Sequence, residues 1–335
     1  MIVPIFLPHL GCLERCIYCN QGHITGSQGI DVDGIVKKSL CSAKDKVEIG
    51  LYGGNIFNVE PAELKRLFEC FNSHMEKVSN FRISTKPVPL RNETIEILKV
   101  NKVTVIELGI PVFNDAILEK LNRKHTVEDF YKAYCLLKEE GFRVALQVMV
   151  GLPDETMNDI RMTAEQIIRL SPHYIRIYPL IVLKDTPLYS MYESGLFVPI
   201  PFEEALKRAV YIYLNALKHG IKAAKMGLTD NEIIKERVVA GHYHPAFGYL
   251  VKSEAFYLAV KAKIGAASLK GDVTVRLNNR DIPHLSGNRR SNIKRFNEQG
   301  VCIAWEKADV EEGNFVLHSG SKEIGGSIFD ALLVS

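Results

Sequence analysis

Short apolar runs suited to buried strands alternate with longer stretches of helical periodicity through the first two thirds of the chain. The runs are IVPIFL (2–7), KVEIGLY (46–52), FRIST (81–85), VTVIELG (103–109), RVALQVMVG (143–151) and YIRIYPL (174–180). Between them apolar residues recur at helical spacing over 31–42, 61–76, 91–99, 114–121, 126–140, 155–170 and 203–219. Thr126 with Glu128 and Asp129 makes a capped helix start and Gly141 a stop; Asp154 and Glu155 open the next helix after the break at Gly151-Leu152-Pro153. Six such β/α units in a row predict a parallel sheet with right-handed crossovers, an α/β fold.

The alternation stops at about residue 226. NEIIKERVVA (231–240) reads as a helix, GHYHPAFG (241–248) as a turn-rich segment carrying His242 and His244, 250–265 as a helix and GDVTVRLNN (271–279) as a strand. DIPHLSGNRRSNIKRF (281–296) is basic and reads as a loop plus a helix; GVCIAWEKA and GNFVLHSG read as strands. The chain therefore divides into an α/β unit over 1–225 and an α+β extension over 226–335 packed on it. Length and composition, 335 residues with 47% hydrophobic and 24% charged, are those of an ordinary globular protein with room for a barrel and a smaller appendage. A net charge of +3 is too small to argue for nucleic acid by itself. No apolar stretch has the length of a membrane span, and MIVPIFLPHLG lacks a basic n-region and a cleavage site, so the expectation is a cytoplasmic chain away from membranes.

Chemistry enters directly after the first strand, at GCLERCIYCN, where Cys12, Cys16 and Cys19 stand as C-x3-C-x2-C. Thiolates select zinc, copper(I) or iron–sulfur clusters. Structural zinc wants four ligands, commonly in two pairs, and no second CxxC is present. Three cysteines on one loop suit three irons of a 4Fe–4S cluster with the fourth iron open, whereas most clusters that only carry electrons have four cysteines. Cys41, Cys70, Cys135 and Cys302 are scattered and are expected to be buried thiols. The second strand ends in Tyr52-Gly53-Gly54-Asn55, where glycines permit close approach of backbone to a ligand, or simply make a turn. The third ends in ISTKP, placing Ser84, Thr85 and Lys86 at a polar strand end before Pro87. Glu107 and Gln147 interrupt otherwise apolar strands, and buried polar groups need partners.

The cysteine spacing, with the aromatic Tyr18 before the last cysteine, resembles the signature of the radical S-adenosylmethionine (radical SAM) superfamily. That resemblance implies a partial (β/α)6 barrel of TIM type, a 4Fe–4S cluster held by Cys12, Cys16 and Cys19, and S-adenosylmethionine as the source of a 5′-deoxyadenosyl radical that removes hydrogen from an unactivated carbon. It assigns Gly53 and Gly54 to the methionine amino group, Ser84 and Thr85 to the carboxylate or ribose, and Arg123 to the carboxylate, with a solvated helix-end arginine as the alternative. Gln147, Tyr178 and Leu180 fall beside the cofactor, Tyr18 beside the cluster, and His173 and Arg176 read as structural. Glu107 is expected to face the lumen as a catalytic and substrate-gripping acid, and the cluster implies an electron donor such as flavodoxin or ferredoxin.

The order CxxxCxxC, YGG, ISTKP, ELG, LNRKHT, GLP and YPL is similar to the radical SAM half of the Elongator catalytic subunit and its stand-alone bacterial relatives. Asn55 and Pro111 depart from that branch, and the acetyltransferase half is not expected. Within the branch the chain looks most like queuine lyase, which implies a small heterocyclic substrate gripped by Asn55 or Glu107 and closed over by His244. The alternative is an Elongator-like enzyme modifying a tRNA base, with Arg289, Arg290, Lys294 and Arg295 on phosphates; a solvated helix face is the plainer reading of that run, and nucleic acid is not the favoured partner.

Overall fold

Along the first strands alternate residues are apolar and buried, and those between them, polar in part (Glu48, Arg82, Glu107, Gln147, Arg176) and apolar in part (Ile2, Pro4, Phe6, Val105, Met149), turn to the other face. Val47, Ile49 and Leu51 are buried on one side of their strand, as are Val144, Leu146, Val148 and Val150 on another. This period of two puts the apolar set beneath the crossover helices and gathers the strands' charged residues on the face opposite. The computed structural model describes residues 1–25, 32–41, 45–230 and 232–334. Strands β1 (Ile2–Phe6), β2 (Val47–Tyr52), β3 (Val78–Thr85), β4 (Val103–Gly109), β5 (Arg143–Val150) and β6 (Ile175–Pro179) run parallel in sequence order.

Two further strands follow, β7 (Ile181–Leu183) and β8 (Ala223–Met226), and β8 joins β6 as the seventh parallel strand. Ala223-Ala224-Lys225-Met226 offers no apolar run, so β8 is invisible to periodicity, and it carries the sheet across the expected boundary at 225. The sheet is curled into a partial barrel with the polar face concave. Arg82 of β3 donates to the hydroxyl of Tyr174, at the head of β6, over 2.8 Å, and Arg176 of β6 donates to Tyr52 of β2 over 2.9 Å. Such bonds between strands that are not neighbours require a concave face.

Helices over Val32–Cys41, Asn92–Val100, Asp115–Lys120, Val127–Glu139, Met157–Leu170 and Phe202–Lys218 cover the outer face; the ends of the expected 31–42 helix, Asp31 and Ser42, lie outside the described residues. The expected 61–76 helix is divided into Pro61–Glu69 and a 3₁₀ segment, Asn72–Lys77. The helix expected from Asp154 starts later, because Thr156 and Asp159 form the capping box. Glu155 instead turns inward to accept from Gly151 N–H at 2.7 Å and from Arg208 at 3.0 Å. Of the helix expected over 231–240, only Glu232–Arg237 is helical, with Asn231 outside the described residues. The β-branched Val238 and Val239 begin β9 (Val238–Gly241), antiparallel to β7.

The extension is an α+β unit. Strands β10 (Gly271–Leu277), β11 (Val301–Lys307), β12 (Asn314–Ser319) and β13 (Lys322–Ser327) form a sheet of order β11-β10-β12-β13. Helix Phe247–Ala266 packs both on that unit and on Phe202–Lys218. Cys70 is half-buried and Cys135 and Cys302 are exposed, not buried as expected, because each lies on the outward side of its element; nothing is described of the Cys41 side chain. No helix among the described residues is long and apolar enough to cross a membrane.

Phe81 of β3 is wholly buried, with Phe68 and Phe71 edge-on to it at centroid distances of 5.2 and 4.9 Å. Phe81→Ala is expected to cost about 3–5 kcal/mol, read as a lower urea midpoint at unchanged slope.

Candidate functional site

The loop after β1 is fixed by backbone lying on backbone. Leu7 N–H donates to Tyr52 O at 2.7 Å, His9 N–H to Gly53 O at 3.0 Å, and Asn55 N–H to Leu10 O at 2.7 Å. A Cβ on Gly54 would stand 2.6 Å from Leu10 O, and one on Gly11 2.3 Å from Asn55 O. Glycine is required at both because the two loops touch there. The close approach that Gly54 permits is thus to protein carbonyls, and through them it fixes where the cysteines point.

Cys12, Cys16 and Cys19 all line one cavity of about 510 Å³ and none forms a disulfide. This volume lies in the ordinary range of ligand pockets. Among the described residues no three His, Cys, Asp or Glu side chains converge on one ion. Three thiols from one loop on one cavity wall are a donor set that fits a polynuclear cluster with one metal per thiolate, whereas structural zinc takes four protein ligands. Burial pushes the Cys19 thiol up to about 12, with Cys16 adding to the effect, and burial also raises Cys12. Burial alone would raise Cys16 as well, but the Arg123 and Lys86 cations outweigh it and hold this thiol below its ordinary value. Arg123 is buried and donates to Cys16 Sγ at 3.5 Å, to the Tyr18 hydroxyl at 3.4 Å and to Gly109 O. Its guanidinium is directed at the sulfur loop rather than standing solvated at a helix end.

The cavity opens at the carboxyl ends of the parallel strands, where β/α folds place reactive groups. Tyr18, Gly53, Gly54, Ser84, Thr85, Arg123, Gln147 and Tyr178 line it. Ser84 Oγ accepts from Gln147 at 2.9 Å, whereas the Thr85 hydroxyl is engaged with Asn55 Oδ1 at 2.8 Å.

Four of the expected residues do not line the cavity. Asn55 is buried and its amide oxygen accepts from Thr85 and from Lys86 N–H at 3.2 Å, so it braces the strand ends. Leu180 is buried in the core, its carbonyl accepting from both His242 N–H at 2.9 Å and the His242 ring. His244 accepts from Ala246 N–H at 3.0 Å in the turn that precedes helix Phe247–Ala266, beside Phe202. Glu107 lies on the concave face but has no exposed surface. Tyr174 donates to it at 2.6 Å and Gln147 at 2.7 Å, and Arg176 and Arg82 stand at 2.8 and 3.7 Å.

The cavity also takes His9, Arg15, Lys86, Met149, Arg176 and Lys225, together with Leu228 and Thr229 from beyond residue 225. Arg176 could have been found, since in IRIYP it shares a face with Tyr178 at period two; Lys225 lies in a strand with no sequence signal. In the basic run, Arg295 is engaged by Glu254 at 2.5 and 3.0 Å and stacks on Tyr257, and Arg290 lies over Trp305. None of that run lines the cavity.

Arg176→Met strands the buried Glu107 carboxylate and is expected to destabilise by about 3–5 kcal/mol. Glu107→Gln in the same chain should return part of that loss, so denaturant midpoints of the two single variants and the double variant will be non-additive; additive losses would dissolve the pair.

Against known proteins, the family model described as Radical SAM superfamily matches residues 6–167, and the Radical_SAM C-terminal domain matches 172–256. The heme chaperone HemW of Bacillus subtilis (strain 168) is 26% identical over 222 residues, 63% of this chain and 59% of that protein. The tRNA uridine(34) acetyltransferase of Methanocaldococcus jannaschii is 33% identical over 132 residues, 38% of this chain and 24% of that protein. The chain thus spans little more than half the length of the heme chaperone and about a quarter of the acetyltransferase. Among solved structures, the archaeal Methanocaldococcus infernus Elp3 with an N-terminal deletion superposes with a TM-score of 0.59 at 21% identity, covering 80% of this chain and 63% of that one. That likeness is one of fold.

Proposed function

We infer a function from the premise that this chain belongs to the radical SAM superfamily, whose two domain models match its barrel and the segment that follows. It is a radical SAM enzyme, and the superfamily uses a 4Fe–4S cluster with S-adenosylmethionine and an electron from an external donor. When bound, that pair supplies a carbon-centred radical for hydrogen abstraction; the protein's part is to place the substrate and exclude water. Cys12, Cys16 and Cys19 would hold the cluster, with Arg123 donating to the Cys16 sulfur. Gly53, Gly54, Ser84, Gln147 and Tyr178 would receive the cofactor and the reacting edge of the substrate.

The substrate we propose is a nucleotide within RNA, a tRNA base by analogy with the acetyltransferase named above. The observation that carries this reading is the charge of the cavity wall. Arg15, Lys86, Arg123, Arg176 and Lys225 line it against one carboxylic acid, Glu14. A wall of that sign concentrates polyanions. The free heterocycle expected of queuine lyase has weaker support, since Asn55, Glu107 and His244, the residues assigned to grip it, are all engaged outside the cavity lining. Acetyl transfer is not proposed.

The test is anaerobic. The reconstituted enzyme, with dithionite and S-adenosylmethionine, is assayed for 5′-deoxyadenosine alone, with unfractionated tRNA, and with queuine. Stimulation by tRNA, with binding that weakens linearly in log–log against salt, is the expected result. Stimulation by queuine and indifference to tRNA would discard the RNA reading and restore the small substrate.

A further inference from the structure

The concave face of the barrel holds more positive than negative charge, and the excess falls on one residue. Apart from Arg143, which shares this face but is exposed at the amino end of β5 and donates to Thr104 at 3.0 Å, its cations are Arg82, Arg176 and Lys225, and its acids are Glu48 and Glu107. Glu48 accepts from Arg82 at 2.6 Å and from Asn80 at 2.7 Å. Glu107 is shared by Arg176, Arg82, Tyr174 and Gln147 at the distances given above. Three cations against two acids leave one positive charge over, and both acids are already taken. The cation left is Lys225. It stands in register beside Arg176 on the neighbouring strand, it lines the cavity, and among the described residues its ammonium donates to the Thr229 hydroxyl and to no carboxylate.

A half-buried ammonium beside a second cation is costly without a counter-charge. Its pKa is lowered, first by burial and then by Arg176, with Glu107 opposing. The same arrangement lowers the cost of bringing in an anion, because the ammonium is already partly withdrawn from water and lines the cavity.

We propose that Lys225, backed by Arg176, forms an anion subsite on the last strand of the barrel that takes an acidic group of the substrate itself. The inference rests on the radical SAM reading of the cavity and deepens it: the group near the reacting carbon is a phosphate or a carboxylate. An RNA substrate would present the phosphate of the target nucleotide or its neighbour. The hydroxyl of Tyr178, to which Arg176 donates at 3.2 Å, keeps the guanidinium turned to the same wall.

The test reads the lysine directly. The reconstituted enzyme is acylated with a limiting amine-reactive ester, and the rates at Lys225 and at the exposed Lys124 are followed by mass spectrometry. The additions are a mixture of ribonucleoside 5′-monophosphates, the matching nucleosides, inorganic phosphate, acetate and S-adenosylmethionine. Monophosphates and phosphate should block acylation of Lys225 and leave Lys124 at its unliganded rate, while nucleosides should block neither. Lys225→Gln should lower monophosphate affinity at least about tenfold, and Lys225→Arg should keep most of it, which separates loss of charge from loss of fold. Protection by acetate without protection by phosphate keeps the subsite and assigns it a carboxylate, whatever tRNA does in the deoxyadenosine assay. Protection by none of the anions, or full protection by S-adenosylmethionine alone, overturns the proposal.

Discussion

Glu107 has no exposed surface and lies in the middle of the sheet's concave face, where Tyr174, Gln147, Arg176 and Arg82 converge on its two oxygens from strands on either side. A carboxylate in that position is tolerable only while its partners remain, and each partner is in turn fixed by another group. Arg82 is held by Glu48, Arg176 by Tyr52 and Tyr178, and Gln147 by Ser84. The curl of the sheet and the polarity of its lumen are therefore one condition. Flattening the sheet would separate Arg176 from Tyr52 and Arg82 from Tyr174, which only a concave face brings together. A TIM barrel of the usual kind fills its interior with branched apolar side chains; this one fills part of it with a charge network and leaves the rest as a cavity.

The network also fixes what faces the ligand. Gln147 donates through the same nitrogen to Ser84 and to Glu107, so the amide that lines the cavity is oriented by a carboxylate that does not. Glu107 is in this sense a positioning residue for the wall. At the rim a second constraint operates, since the cysteine loop has its path set by the carbonyls of Leu7 and Leu10 against Gly53 and Gly54. Arg123 links the two levels, reaching Gly109 at the end of β4 and Cys16 on the loop.

The outer half of this design is legible in the sequence, because it depends on local pattern. Six strands announce themselves by short apolar runs, and one helix start by the Thr-x-x-Asp box at Thr126, whereas the helix that the same box at Thr156 opens is expected from Asp154 and Glu155 instead. The three thiols are legible because the chemistry needs them close along the chain. The inner half depends on partners far apart in sequence. Nothing in VIELG says that Glu107 is consumed by Tyr174, 67 positions away, or that Asn55 is taken by Thr85. Of His242 and His244 the second is the one expected to close the pocket, yet one ring is pinned between the carbonyls of Leu180 and Ile200, in space that Gly151 leaves by having no side chain, and the other accepts from Ala246 N–H in the turn before a helix. Lys225 is hardest to foresee, in a strand of four residues with two alanines.

The sheet ends at β1 on one side and β8 on the other, each with a single neighbour in that sheet. An open edge ordinarily invites pairing with another chain, and proline or lysine on the edge strand discourages it. Pro4 stands on β1 and Lys225 on β8, and both line the cavity. Pro4 brings no N–H to the open side, and Lys225 brings a charge that an incoming apolar strand would have to desolvate. Leaving the barrel unclosed makes room between the two edges that an eight-stranded closure would fill with side chains. The segment bearing Leu228 and Thr229 then lies over this gap, and helix Glu232–Arg237 beyond it packs on Gln21–Thr25, directly after the cysteine loop. The residues that protect the edges thus also line the opening, and the chain beyond residue 225 belongs to the site as much as the strands do.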